Sequence, residues 1–196
     1  MSKRKYNFFA FVSRMKFINR WGLMRNTYTE NIQGHSHEVA ILAHSLAVIK
    51  NTYFGGNVDE AKVAVLALYH DSDEIITGDL PTPIKYYNPD IKKAYKDIEE
   101  IAKEKLLEML PDELKPSYEK VIKPQQGEEE LWMLVKNADR LSAYIKCIEE
   151  EKAGNKEFKK ASSTILKTIH ELNSPEVEFF MEHFIGGYKL TLDEME

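Results

Sequence analysis

Val63-Ala64-Val65-Leu66-Ala67-Leu68-Tyr69 is an unbroken apolar run, and it leads directly into His70-Asp71-Ser72-Asp73-Glu74. Upstream stands Asn57-Val58-Asp59-Glu60, which predicts a buried helix with Asn57 as N-cap and Glu60 closing a capping box. At its far end this helix carries an imidazole and carboxylates into the interior. A carboxylate taken out of water without a partner is expensive and neutralises itself unless something offsets its charge. A divalent cation held by His70 and Asp71 is the simplest partner.

Two ligands do not complete a metal site, and the best further candidates are His35 and Asp139. His35 opens a second amphipathic helix, with Val39, Leu42, Ala43, Leu46 and Ile49 on its inner face. Asp139 stands at the edge of the stripe Leu131, Leu134, Val135, Ala138, Leu141, Ile145 and Ile148, so helical spacing turns its carboxylate inward. Glu74, three residues beyond Asp71, faces the same side on any continuing helical turn, within reach of a water in such a site. Asp73 is expected to be solvated. His37, His44, His170 and His183 lack acidic partners at useful spacing and read as packing or surface residues.

A length of 196 residues, with 43% hydrophobic and 30% charged residues, fits one globular domain over 1–196. Cys147 alone supports neither a disulfide framework nor a cysteine metal cluster, and points to the cytoplasm. Phe8-Phe9-Ala10-Phe11-Val12 is too short for a signal sequence, and nothing reaches the length of a spanning helix. No glycine-rich phosphate loop or sustained alternation appears, so the fold class is all-α.

The net charge of −5 hides an asymmetry, since residues 1–29 carry Lys3, Arg4, Lys5, Arg14, Lys16, Arg20 and Arg25 and no acid. As a bare pattern this is a solvated basic face or an interaction arm. Arg20 is set apart by Trp21, because a guanidinium fork grips phosphate oxygens while an indole covers a sugar or base. The loop Thr77-Gly78-Asp79-Leu80-Pro81-Thr82-Pro83 is stiffened by its prolines and carries a carboxylate and hydroxyls. It reads either as a rigid connector or as a surface that presents Asp79 and Thr82 to a nucleotide.

Further helices are expected from Asn88-Pro89-Asp90 to about Leu110, from Pro111-Asp112, from Glu128-Glu129-Glu130 through Asp139, and from Ser174-Pro175-Glu176 to about Gly186-Gly187. Pro124 to Gly127 forms a loop.

The set His35, His70-Asp71 and Asp139 resembles that of the HD-domain metal-dependent phosphohydrolases. Asn19-Arg20-Trp21, Arg25-Asn26, Thr29-Glu30-Asn31, His35-Ser36, Phe54-Gly55-Gly56-Asn57, Thr77 to Pro83, Tyr144-Ile145-Lys146-Cys147 and Leu192-Asp193-Glu194 are similar, in order, to its bacterial 5′-deoxynucleotidase branch. The resemblance implies a compact multi-helix HD-domain bundle and a homodimer. It implies His35, His70, Asp71 and Asp139 as ligands of one divalent ion, and substrate contacts at Arg20, Trp21, Asp71, Asp79, Leu80, Pro81 and Thr82. One departure stands out. Members commonly carry Glu immediately before the first ligand His, where this chain has Gly34, so a looser imidazole and about ten-fold weaker metal binding are expected.

The expected reaction is hydrolysis of deoxyribonucleoside 5′-monophosphates to deoxyribonucleoside and phosphate, with Glu74 and Arg20 catalytic. Cobalt is the ion expected to support activity in vitro, and mixed nitrogen and oxygen ligation also suits manganese, iron, nickel or zinc. Neither nucleic acid nor membrane is an expected partner. The alternatives are an HD-type hydrolase of a triphosphate or signalling nucleotide, and a non-catalytic helical module with a structural metal and a nucleic-acid-binding basic arm.

Overall fold

The computed structural model describes residues 5–81, 84 and 87–195, and among them the chain is helical without a β-strand. Three helices position the residues singled out above. α2 spans Ile32–Tyr53, begun by Asn31, whose side chain accepts the Gly34 backbone N–H at 2.9 Å. α3 spans Glu60–Tyr69, and α7 spans Glu129–Lys152. Their inner faces, Val39, Leu42, Ala43 and Leu46, then Val63, Leu66 and Ala67, then Leu134, Val135, Ala138, Leu141 and Ile145, form one buried core. Burying a side chain of this kind contributes roughly 1.5–3 kcal/mol, so these helices are fixed far more firmly by packing than by helix propensity.

The start of α3 differs from expectation. Asp59 is the N-cap, its carboxylate accepting the Lys62 N–H at 2.9 Å. A carboxylate there both satisfies an orphan donor and offsets the helix dipole, which the Asn57 amide could do only in part. The chain before it is instead held by Asn51, which exchanges hydrogen bonds with the Val58 backbone at 2.9 and 3.0 Å.

Beyond Tyr69 the chain leaves α3 through successive tight turns, Ser72 N–H to Tyr69 O at 3.0 Å and Glu74 N–H to Asp71 O at 3.1 Å. It then enters the short α4, Glu74–Thr77, which stops at Gly78 with φ of 73°, a left-handed conformation suited to glycine. The turns tuck Ser72 and Asp73 inside. Asp73 is therefore buried rather than solvated, and burial, partly offset by Lys103, pushes its carboxyl up to about 6.

A second, smaller core joins α1 (Phe8–Val12), α5 (Pro89–Glu108) and α6 (Lys115–Ile122) around Phe8, Leu106, Leu107, Leu110 and Ile122. The apolar Phe8–Val12 run is thus a packing element, with the Phe8 ring edge-on to Tyr118 at 4.9 Å. Pro111–Leu114 forms a turn before α6, because Leu114 N–H closes onto Pro111 O at 3.0 Å and the helix begins only at Lys115. α8 (Lys159–His170) and α9 (Pro175–His183) cover the remaining side of the main core. Short 3₁₀ turns follow at Ile185–Lys189 and Leu192–Glu194. Among the described residues no helix is long and apolar enough to cross a membrane.

Candidate active site

His35 lies in the first turn of α2, His70 and Asp71 just past the end of α3, and Asp139 midway along α7. The packing of these helices brings the side chains together. Nε2 of His35 is 3.5 Å from Asp71 and 3.1 Å from Asp139, and Nε2 of His70 is 3.2 Å from Asp71. One donor atom each of His35, His70 and Asp71 falls within a 4.8 Å cluster, to which Asp139 is joined through His35. Ligands at about 2.1 Å around a tetrahedral ion stand about 3.4 Å apart, so these spacings fit a coordination sphere.

The imidazole tautomers fit as well. His70 Nδ1–H donates to the Ala67 carbonyl at 2.7 Å, which leaves the lone pair on Nε2. His35 Nδ1 faces Ser142 Oγ at 3.2 Å, and Ser142 gives its own proton to Glu38 at 2.6 Å, so the imidazole is the donor there too. Both Nε2 atoms are buried and lack any hydrogen bond of acceptable geometry. Buried lone pairs aimed at clustered carboxylates are what a cation satisfies. The carboxylates also favour a charged imidazole. Burial opposes a charged His35, yet Asp139, Asp71 and Glu30 outweigh it and raise the imidazole well above its ordinary range. Asp71 is held well below the usual carboxylate range, because His70 and His35 outweigh its burial.

Gly34 does not leave His35 loose. Ser142 and Glu38 on one side, and Glu30 at 3.3 Å on the other, hold Nδ1 in place of the expected neighbouring Glu. A side chain at 34 has only ordinary contact with Asn31, at 3.7 Å.

Arg20 reaches the same cluster from a non-helical stretch, and Trp21 is joined to it through Glu30. Asn19 and Asn31 form an antiparallel bridge, with Arg20 N–H to Glu30 O at 3.0 Å and Ile32 N–H to Ile18 O at 2.9 Å. The Arg20 guanidinium, 13% exposed, lies 3.4 Å from Asp71 and 3.9 Å from Asp139. Trp21 has φ of 59°, rare for a bulky residue. Its indole N–H donates to Glu30 at 2.6 Å, and its ring meets Phe158 edge-on at 5.3 Å.

The far end of this stretch is fastened to α7. Both Glu150 oxygens accept the Thr27 N–H, at 3.1 and 3.0 Å, and Glu150 also accepts the Thr27 hydroxyl at 2.8 Å. Lys146 pairs with Glu150 and donates to the Tyr28 carbonyl at 2.9 Å. Asn155 completes the latch by donating to Glu150 and to the Arg25 carbonyl, at 2.8 and 2.7 Å. Sequence reasoning missed Glu30, Ser142 and Glu150 as site supports. The partners of Ser142 and Glu150 lie more than a hundred residues away, and those of Glu30 are set by the Asn19–Asn31 bridge, so no helical spacing announces them.

Glu74 opens α4 beside the cluster with Oε2 buried and unpaired. Burial, then the charges of Asp71 and Asp79, push its carboxyl up to about 9. Asp79, Leu80 and Pro81 follow α4 and are partly buried; burial pushes the Asp79 carboxyl above its usual range, against the pull of Arg20 and of the Trp21 backbone N–H that it accepts. That contact ties the loop to the Arg20–Trp21 stretch. Thr82 lies outside the described residues.

Residues 7–188 match the model of a family described as 5′-deoxynucleotidase YfbR-like. The chain belongs to that family. It is 52% identical over 189 residues to a 5′-deoxynucleotidase of Photorhabdus laumondii, covering 96% of each chain. It is 51% identical over 189 residues to a 5′-deoxynucleotidase of Erwinia tasmaniensis, again covering 96% of both. Among solved structures it superimposes on an HD-domain phosphohydrolase of Listeria innocua with a TM-score of 0.80 at 21% identity, covering 93% of this chain and 88% of that one. A cyanophage S-2L HD phosphohydrolase, bound to dA and one catalytic Zn2+ ion, gives a TM-score of 0.64 at 22% identity, covering 91% and 96%. The expected all-α HD-type fold is therefore the observed one, and the YfbR-like family places the helices described above in a known architecture.

Proposed function

We propose that residues 1–196 act as one HD-type phosphohydrolase domain that hydrolyses deoxyribonucleoside 5′-monophosphates to deoxyribonucleoside and phosphate. The observation that carries the reading is the meeting of His35, His70, Asp71 and Asp139, with the His35 imidazole buried and the carboxylates partly open, beside the guanidinium of Arg20, with the indole of Trp21 joined to them through Glu30. Membership of the YfbR-like family supports the choice of substrate.

His35, His70, Asp71 and Asp139 would hold one divalent ion, which would supply a Lewis acid for a phosphoryl oxygen and acidify a bound water toward neutral pH. Arg20, beside Asp71 and Asp139, binds the remaining phosphoryl oxygens and offsets the charge that grows on them in the transition state. Glu74, whose carboxyl burial and the charges of Asp71 and Asp79 push up to about 9, is placed to give its proton to the departing 5′ oxygen, or, as the carboxylate, to take one from the attacking water. Asp71, Asp79, Leu80 and Pro81 contact the nucleotide, and Asp79 also accepts the Trp21 backbone N–H.

Trp21 selects the sugar. Its ring, fixed beside Arg20, closes against the 2′ carbon and leaves a ribose hydroxyl with neither space nor a partner. An unpaired buried hydroxyl costs roughly 1–3 kcal/mol, or about ten- to hundred-fold in preference. The reading carries with it cobalt as an effective ion in vitro, a homodimer, and the cytoplasm, where the buried free thiol of Cys147 stays reduced.

The test is phosphate release from matched mono- and triphosphates of deoxyribo- and ribonucleosides. Release from deoxyribonucleoside 5′-monophosphates, well above the ribonucleotides, is the expected result. Release from triphosphates alone, or from no nucleotide, contradicts the proposal.

A further inference from the structure

The Glu30 carboxylate stands between three groups that the proposed reaction uses separately. Its Oε2 accepts the Trp21 indole N–H at 2.6 Å, while its Oε1 lies 3.3 Å from Nδ1 of His35 and 3.5 Å from Nε of Arg20. The side chain is 11% exposed, so these contacts are made largely out of water. The register of the short bridge produces the arrangement: Arg20 N–H bonds to Glu30 O, which sets the two residues opposite one another.

Trp21 needs such an anchor. A left-handed backbone is strained for a bulky residue, so its conformation persists only where surroundings over-determine it. The edge-on contact with Phe158 resists tilting but lets the ring slide. The bond to a charged acceptor is the directional constraint.

We propose that Glu30 is the positioning residue for sugar selection, holding the Trp21 ring in register with the phosphate grip of Arg20 and the ligand face of His35. The inference rests on the reading of Trp21 as the sugar selector. Glu30 itself touches neither nucleotide nor metal.

An isosteric amide separates its clients. Gln offers one acceptor and one donor, and an NH2 group facing both the Arg20 cation and the His35 N–H is the worse of its orientations. Glu30→Gln therefore turns its oxygen toward Arg20 and His35 and opposes its NH2 to the indole N–H, so Trp21 loses its acceptor. Trp21→Phe removes the same bond from the other side.

The experiment compares the full-length wild type, Glu30→Gln, Trp21→Phe and the double variant. For each, kcat/KM and equilibrium-dialysis Kd are measured for a deoxyribo- and a ribonucleoside 5′-monophosphate of the same base. Each single variant is expected to lower the deoxyribo preference by about ten-fold, and the double variant by no more than the larger single effect, since one bond cannot be lost twice. Metal affinity, from titration of the stripped protein, is expected to stay near wild type in both single variants.

A Glu30→Gln protein with lowered Tm but wild-type preference assigns Glu30 a purely structural role and overturns the inference, as do single effects that multiply in the double variant. Should Glu30→Gln fail to fold, Trp21→Phe with unchanged preference overturns it equally. A wild type that releases phosphate from neither nucleotide defeats the proposed function instead. The dialysis ratios then still decide the role of Glu30.

Discussion

His35 and Asp139 stand on helices whose inner faces are buried, and His70 and Asp71 directly after one, whereas Arg20 and Trp21 stand on a stretch with no regular structure beyond the Asn19–Asn31 bridge. The first group is placed by packing. Val39, Leu46, Val63, Leu66, Ala138 and Leu141 leave the helices one arrangement, and the ligands ride on it. The second group is placed by directional polar contacts: Glu30 at one end, and the Lys146–Glu150 latch at the other. The contrast separates two jobs. On the proposed reading the metal ligands are mounted on the rigid part, and the phosphate grip and sugar discrimination on a part whose position is set by a few hydrogen bonds.

The widest break comes from the helical group. His70→Ala or Asp71→Ala removes a ligand from a set with none to spare, and is expected to abolish turnover and bound metal together. Metal analysis beside phosphate release checks this, and a variant that keeps both ends the metal-site reading. Glu74→Gln keeps the metal but loses rate, by about two to four orders of magnitude. Single-turnover kinetics with metal content measured in parallel distinguish this from a lost ligand.

The loop is broken from α7. Glu150→Ala strands the Lys146 charge in a site where the pair is 2% and 0% exposed, and is expected to cost about 3–5 kcal/mol by chemical denaturation. Acid does the same reversibly. Despite burial, Lys146, Asn155 and Thr27 hold the Glu150 carboxyl at about 2 against an ordinary 4.5. A depressed carboxyl stabilises the fold fully above the ordinary value and loses that contribution as pH falls through the folded one. The stabilisation, roughly 3 kcal/mol, is thus expected to disappear between about pH 4.5 and 2 in the wild type and to be missing from Glu150→Ala at every pH. Parallel pH dependences in the two proteins contradict the assignment.

Trp21→Ala sharpens the comparison from the other side. Metal affinity should be unchanged while the preference for deoxyribonucleotides falls about ten- to hundred-fold. Smallest is Gly34→Glu. With His35 Nδ1 already held by Ser142 and Glu30, metal affinity should stay within about two-fold, while a Glu three residues beyond the Asn31 cap adds roughly 0.5–1 kcal/mol of stability. A large gain in metal affinity reverses that conclusion.

The difference between the regions is also the difference in what the sequence discloses. Apolar periodicity locates α2, α3 and α7 to within a few residues, because burial repeats at every helical turn; Asp139, expected to face inward, reaches His35 at the rim of the core with its side chain 41% exposed. Errors fall where one local contact outcompetes another of similar kind. Asp59 takes the cap expected of Asn57, and the turn after Tyr69 buries an Asp73 expected in solvent. Glu30 and Glu150 carry no periodic mark at all. Glu30 acquires its role from a bridge between residues 19 and 31, and Glu150 from a bond to Thr27 across 123 positions. Gly34 misleads for the same reason: the support it lacks comes from Ser142, 107 residues away.

The most direct test follows the metal and the reaction in one titration. A divalent ion is added stepwise to the stripped full-length protein while phosphate release from a deoxyribonucleoside 5′-monophosphate is recorded. Activity rising from none to a plateau at one ion per chain is the predicted result. Full activity in the stripped protein, or no release at saturating metal, contradicts the account.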